Sequence, residues 1–217
     1  MPSDSSYSLT TSSTERQSTE YDWLDATIST SQLSVSDVES IFQLKRVTRR
    51  KPWRLSKQDC LNLPAQLYEK LQNIPVVLGQ PEPSKASCRL RLDAIIIDCL
   101  GSEQEAASTA QGEKMKLVLD QHLSEEVIFQ NKLVKLHATA DYSVASDESY
   151  LDTHLVLVRA ATKGSISNCL AYMAMVHKHH KQKKRDAVVY GCCSDSHSFE
   201  FLCIDNKARV CLLSVSY

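Results

Sequence analysis

No apolar run in the sequence approaches the roughly 18 residues that a membrane-crossing helix needs, so a spanning segment is not expected. The first residues, MPSDSSYSLTTSSTERQ, offer neither a basic start nor an apolar stretch behind it, so secretion is not expected either. There is no internal repeat and no CxxC pair among the eight cysteines. Cys99, Cys169, Cys192 and Cys203 stand inside apolar runs, where a free thiol acts as a small hydrophobe. Adjacent Cys192 and Cys193 would point to opposite faces of a strand. These features suit a reduced intracellular protein, nuclear or cytoplasmic. A dominant charge is missing too. With 25 basic and 26 acidic residues the net charge is −1, which does not by itself name a partner.

What is present suits one sizeable domain and a tail: 217 residues, 42% hydrophobic, with the apolar residues concentrated toward the C-terminus. Residues 1–40 are rich in Ser, Thr, Asp and Glu and are expected to be disordered, because they offer too little burial to offset the entropy of ordering. Tyr21-Asp22-Trp23-Leu24 is an aromatic island there, either a short docking motif or an incidental cluster. Residues 41–84 read as a basic linker and a helical appendage. Lys45-Arg46 and Arg49-Arg50-Lys51-Pro52-Trp53-Arg54 suit a nuclear-import signal, a phosphate-binding arm or a solvated linker. Residues 57–74 look partly helical with a break near Pro64, and 79–84 form a linker.

Residues 85–217 carry the orderly pattern. Leu90, Leu92, Ile95, Ile96, Cys99 and Leu100 fit one face of a helix ending near Gly101, with a polar loop over 102–114. Strands are expected at 127–129, 133–136 and 140–145. Leu155-Val156-Leu157-Val158, apolar on both faces, reads as a central covered strand. Ile166, Cys169, Leu170, Met173 and Val176 define a second helix. Strands at 187–190, 199–204 and 210–213 close the chain, with turns at Asp195–Ser198 and Asp205–Lys207. The class is α/β.

Two strings go further. Asp152-Thr153-His154-Leu155-Val156-Leu157-Val158-Arg159-Ala160-Ala161, followed by Cys169-Leu170-Ala171-Tyr172-Met173-Ala174-Met175-Val176-His177, resembles a group of fungal PD-(D/E)XK nuclease-like proteins. In that group a strand ending in Glu-Ala-Lys precedes a helix carrying Gln and then Cys-Leu-Ala-Tyr-Met-Ala. Arg89–Ile95 is similar to the first helix of that group, and Ala140-Asp141-Tyr142 to its acidic strand. Val189-Tyr190-Gly191, with Ser194-Asp195, resembles its later strand and turn. The resemblance covers residues 88–217 and implies a restriction-endonuclease-like core, a mixed sheet flanked by helices.

In that fold two carboxylates on neighbouring strands hold Mg²⁺, and a lysine two residues after the second acid shares its face. Here Asp141 matches the first acid, the one metal ligand that would remain in an active site. Arg159 stands where the second acid would be, Ala161 where the lysine would be, and Asn168 where the helix glutamine would be. At about 4 Å and an effective dielectric near 20, a guanidinium and a divalent ion repel by roughly 8 kcal/mol. The expected protein is therefore a degenerate nuclease-like chain, without catalysis or cofactor, that binds nucleic acid or another protein. The alternative is an active Mg²⁺-dependent nuclease with relocated residues. Lys163 would replace the lysine, and Asp93, Asp147, Glu148 and Asp152 are spare acids.

The end of the second helix supplies the nucleic-acid candidates Lys178, Lys181, Lys183, Lys184 and Arg185, which would act through phosphates and salt-sensitively. His177 and His180 share a helix face and would suit zinc, but no Cys or acid completes a tetrahedral set. The plain reading of this segment is a solvated cationic helix end. Asp195, Ser196 and His197 have hydrolase residue types but sit in one local turn without a nucleophile elbow.

Overall fold

The computed structural model describes residues 27–47, 64–79, 84–109, 115–146, 153–159 and 165–216. Its elements in chain order are β1 (Thr27–Ser29), a single 3-10 turn, α1 (Val35–Ile41), β2 (Lys45–Arg46), α2 (Ala65–Leu78) and α3 (Lys85–Thr109). There follow β3 (Lys116–Phe129), β4 (Lys132–Ala145), β5 (Thr153–Arg159), α4 (Ser165–Gln182), β6 (Val189–Ser194), β7 (Ser198–Ile204) and β8 (Arg209–Ser216). The protein is α/β: one mixed eight-stranded sheet carries helices on both faces. No helix among the described residues is long and apolar enough to cross a membrane.

Helix α4 is the keel of one face. Cys169 through Val176 are buried without interruption, so the helix is apolar nearly all round, as a core helix must be. It links β5 to β6, which pair in parallel, and covers Val156, Val189, Leu202 and Ile204. On the opposite face α3 packs Cys88 and Leu92 against Tyr142 and Cys192. Helix α2 leans on α3 through Leu67, Leu71 and Ala94, as the appendage expectation has it. Cys193 faces α4 and Cys192 faces α3, as strand alternation demands. None of the described cysteines is in a disulfide.

Strands β3 and β4 form one long hairpin of 14 residues each rather than the shorter separate strands read from sequence. Its turn, Gln130-Asn131, has φ of 51° and 62°. Two left-handed central residues match the strand twist, although glycine usually takes the second place. Helix α3 runs to Thr109, past the end expected at Gly101. A single glycine costs a helix only about 1 kcal/mol, and Ser102 bonds back to Asp98 O across it.

The boundary at residue 40 does not stand. Strand β1 pairs in parallel with β4, β2 pairs in parallel with β8, and Leu33, Val38 and Leu44 join the main core. Helix α1 starts with a reciprocal cap: Asp37 N–H donates to Ser34 Oγ at 3.1 Å, and Ser34 N–H donates to Asp37 Oδ2 at 2.8 Å. Lys45 and Arg46 are thus a sheet edge rather than the start of a free basic arm, and Arg46 is paired with Glu39. Residues 1–26 and 48–63, with Tyr21–Leu24 and Arg49–Arg54, lie outside the described residues.

The β4 edge opposite β3 is shared. Strand β1 takes Lys135–His137, and β5 takes Tyr142–Ala145, leaving an interval at 138–141. Within that interval β4 turns over: Val134, Leu136, Ala138 and Ala140 face α4, whereas Tyr142 faces α3. On β3, Asp120 adopts φ 48° at the same level, between the pairs Leu119–Tyr142 and Gln121–Ala140.

Candidate functional site

Two places in this frame carry functional residue types, at opposite ends of α4. The first is the interval on β4. Asp141 sits where the strand turns over, and Arg159 ends the neighbouring β5, level with Ser194 of β6. Tyr142 pairs with Leu157, a register that sets position 141 level with 158, so the backbones at 141 and 159 are one register step apart. The side chain of Arg159 is not among those described, and Ala161, Lys163, Asp147, Glu148 and Asp152 lie outside the described residues. Asp93 accepts a hydrogen bond from Tyr142 Oη at 2.7 Å. Burial first, and then this carboxylate, push the Tyr142 hydroxyl well above its ordinary value.

Asn168 does not point into an open cleft. Its Nδ2 donates to Thr139 O at 2.6 Å, its Oδ1 accepts from Thr139 N–H at 3.3 Å, and Thr30 Oγ1 lies 2.6 Å from the same oxygen. The amide thus supplies the main-chain partners that no strand provides at Thr139. The family resemblance singles out this residue, and the contact it makes here is with the sheet backbone.

The second place is the C-terminal end of α4, about 20 Å from Asn168 at 1.5 Å per helical residue. Lys181, Lys183, Lys184 and Arg185 are exposed there, as the sequence suggests. Lys184 leaves the helix with φ 55°, and Arg185 N–H caps His180 O at 3.0 Å. Lys178 differs from them: its ammonium is paired with Glu125 of β3. The histidines are not solvated. His177 and His180 are 4% and 3% exposed. The Nδ1–H of His177 donates to Ala187 O at 2.5 Å. A carbonyl can only accept, so Nε2 of the neutral ring is an acceptor, and it is buried with no hydrogen-bond partner. Burial holds the imidazole below its ordinary pKa, with Lys181 and His180 acting in the same direction. Among the described residues no three of His, Cys, Asp or Glu gather as a metal site.

Beside this helix end lies a cleft of about 1190 Å³. Four pieces of chain wall it: α1 with the start of β2, the β3–β4 hairpin, the last turns of α4, and the β7–β8 turn. Lys45, Lys178, Lys181 and Lys207 line it with Ile41, Phe42 and Phe129. The carboxylates Asp37 and Glu126 are on its wall too. Sequence reasoning misses this cleft because one of its four walls, α1 with the start of β2, falls in segments whose composition reads as a tail and a linker. The signal that could have found it is Ser34-Val35-Ser36-Asp37 ahead of Val38, Ile41 and Phe42, a capping pattern before apolar residues at helical spacing.

The Asp195–Ser198 segment is a closed turn, as the sequence reading has it: Asp195 Oδ1 accepts from His197 N–H at 2.9 Å and Ser198 N–H at 2.7 Å. No protein-family model matches the chain, and no curated protein sequence matches it.

Proposed function

We propose that the protein is a degenerate nuclease-like binding module, of PD-(D/E)XK type in its core, that engages nucleic acid through phosphate contacts and does not cleave it. The observation that carries this reading is the adjacency of β4 and β5. They are antiparallel neighbours, β5 leads through α4 to a parallel β6, and positions 141 and 159 lie one register step apart. That is the relationship a two-carboxylate metal site requires, and here its second position is an arginine. A guanidinium at that point supplies positive charge without an ion, and a charge-assisted bond from Arg159 to Asp141 would tie the two strands together. The exposed Lys181, Lys183, Lys184 and Arg185 supply the phosphate contacts, which fix position without reading sequence. A reduced intracellular compartment, nucleus or cytoplasm, suits the unbridged cysteines.

The test is calorimetry with Mg²⁺ and a DNA-cleavage assay on the natural protein and on the Arg159→Glu, Ala161→Lys double variant. The natural protein is expected to bind Mg²⁺ no tighter than millimolar and to leave DNA intact, and the double variant to gain metal affinity. Mg²⁺-dependent cleavage by the natural protein, abolished by Asp141→Ala, would overturn the reading in favour of an active nuclease.

A further inference from the structure

The cleft at the C-terminal end of α4 has no part in the motif chemistry, and it is unusual in three respects. Three of its cations are uncommitted: Lys45, Lys181 and Lys207 are exposed and have no ion-pair partner among the described residues. Of its two lining acids one, Asp37, is engaged and the other, Glu126, is open. The Asp37 carboxylate is held in the α1 cap by Ser34, Glu125 outside the lining neutralises Lys178, and Glu126 is exposed on the wall. The three free lysines come from β2, α4 and the β7–β8 turn, and only the fold brings them together.

Second, the lining backbone holds left-handed, non-glycine residues at three separate turns: Gln43 (φ 54°), Gln130 (φ 51°) and Ala208 (φ 56°). Gln130 takes the ordinary conformation of its hairpin turn, whereas Gln43 and Ala208 shape the two turns next to Lys45 and Lys207. They are also cross-braced. Lys45 N–H donates to Ala208 O at 2.9 Å, His177 Nδ1–H donates to Ala187 O, and Ala187 N–H donates to Asn206 Oδ1 at 2.8 Å. The lysine-bearing turns are therefore fixed to one another and to α4.

Third, the cleft is large enough to admit a small ligand, and half-buried Ile41, Phe42 and Phe129 add apolar surface to its lining. Contacts to a duplex backbone use cations and hydrogen-bond donors and leave an apolar lining without a partner. A phosphate chain attached to a flat ring satisfies both halves.

We propose that this cleft binds a nucleoside di- or triphosphate, its phosphates on Lys45, Lys181 and Lys207 and its ring against Ile41, Phe42 and Phe129. The proposal does not rest on the nuclease-like reading. The test is calorimetry with ATP and with pyrophosphate on the full chain at low and moderate salt. Two charge-reversal variants are compared: Lys45→Glu with Lys207→Glu in the cleft, and Lys183→Glu with Lys184→Glu just outside it. All four side chains are exposed, so both variants should keep the parent thermal transition. ATP affinity is expected to fall by about tenfold or more in the cleft variant, to change less than about twofold in the other, and to exceed that of pyrophosphate. Equal weakening in both variants, or no ATP binding at millimolar concentration, would overturn the proposal. Pyrophosphate binding as tightly as ATP would overturn the ring half of it. A thymidine decanucleotide separates the two readings. If it binds through Lys183 and Lys184 while ATP does not bind, the cleft proposal fails alone. If ATP binds in the cleft and no oligonucleotide binds, the nucleic-acid reading fails alone.

Discussion

Asn168 stands in for a β-strand at Thr139, donating to its carbonyl at 2.6 Å and accepting from its N–H at 3.3 Å. Replacing it with alanine strips both partners from a main-chain unit in the β4 interval and removes the bond with Thr30. Asn168→Ala is expected to destabilise the fold by about 1–3 kcal/mol, read from urea denaturation. Asn168→Asp removes the donor to Thr139 O and should also destabilise. Unchanged stability in both variants would mean that this amide does not hold the sheet.

His177 gives the protein an acid-side weakness. The folded-state pKa is depressed by burial, so in the unfolded chain the ring takes a proton near its ordinary value of 6.5 and in the folded chain it does so only at lower pH. The unfolded state then binds more protons, and stability falls with falling pH. The contribution is whole above pH 6.5 and is lost as pH drops through the folded-state value. Denaturation midpoints between pH 7.5 and 5 should decline in the natural protein and decline less in His177→Gln.

Gly191 lets α4 approach the sheet. A Cβ there would meet Met173 Sδ inside van der Waals contact and lie 3.0 Å from Cys169 Sγ. Gly191→Ala is expected to cost about 1–3 kcal/mol by overpacking. Part of that cost should return when Met173→Ala is added, which a double-mutant cycle measures.

Among the described cysteines, iodoacetamide should reach Cys99 first, because it is exposed and the others are buried. Burial pushes the Cys192 thiol up to about 12 and the Cys203 thiol up to about 11, so neither offers much thiolate near neutrality. Peptide mapping after a short pulse at pH 8 should find these two labelled only in denaturant.

Removing residues 1–40 should destabilise the protein severely, since it takes away β1, most of α1 and the buried side chains Leu33 and Val38. Each of those side chains is worth about 1.5–3 kcal/mol of burial. A series of N-terminal truncations followed by thermal unfolding checks this.

The legible parts of the sequence are those whose pattern is local. Ile166, Cys169, Leu170, Met173 and Val176 declare α4 by spacing, and the doubly apolar Leu155–Val158 declares a central strand, which lies between β4 and β6. Strand β1 is three residues in a Ser/Thr-rich context, and its partner Lys135–His137 is remote in sequence, so no local period marks it. The long hairpin is legible only at its turn end. The rest of β3, Lys116–Glu126, has no period-2 alternation, with Leu117-Val118-Leu119 consecutive and a surface that is largely exposed. At the candidate sites, the family resemblance points to Asp141 and Asn168, and the charge run at the end of α4 to its lysines. The paired hydrogen bonds between Asn168 and Thr139 and the shared cleft of Lys45 and Lys207 are products of tertiary structure that spacing does not encode.

The pairing of β1 with β4 and of β2 with β8 also fixes an order of events at the ribosome. Thr30 is separated from its partners His137 and Asn168 by 107 and 138 residues, and Lys45 waits for Arg209. Strand β1 is therefore synthesised about a hundred residues ahead of its partner on β4 and β2 further still ahead of β8, and closing such long loops is slow. Until the last strand emerges, Leu33, Val38 and Leu44 have no finished core to enter. Over that interval this segment is open to foreign contacts.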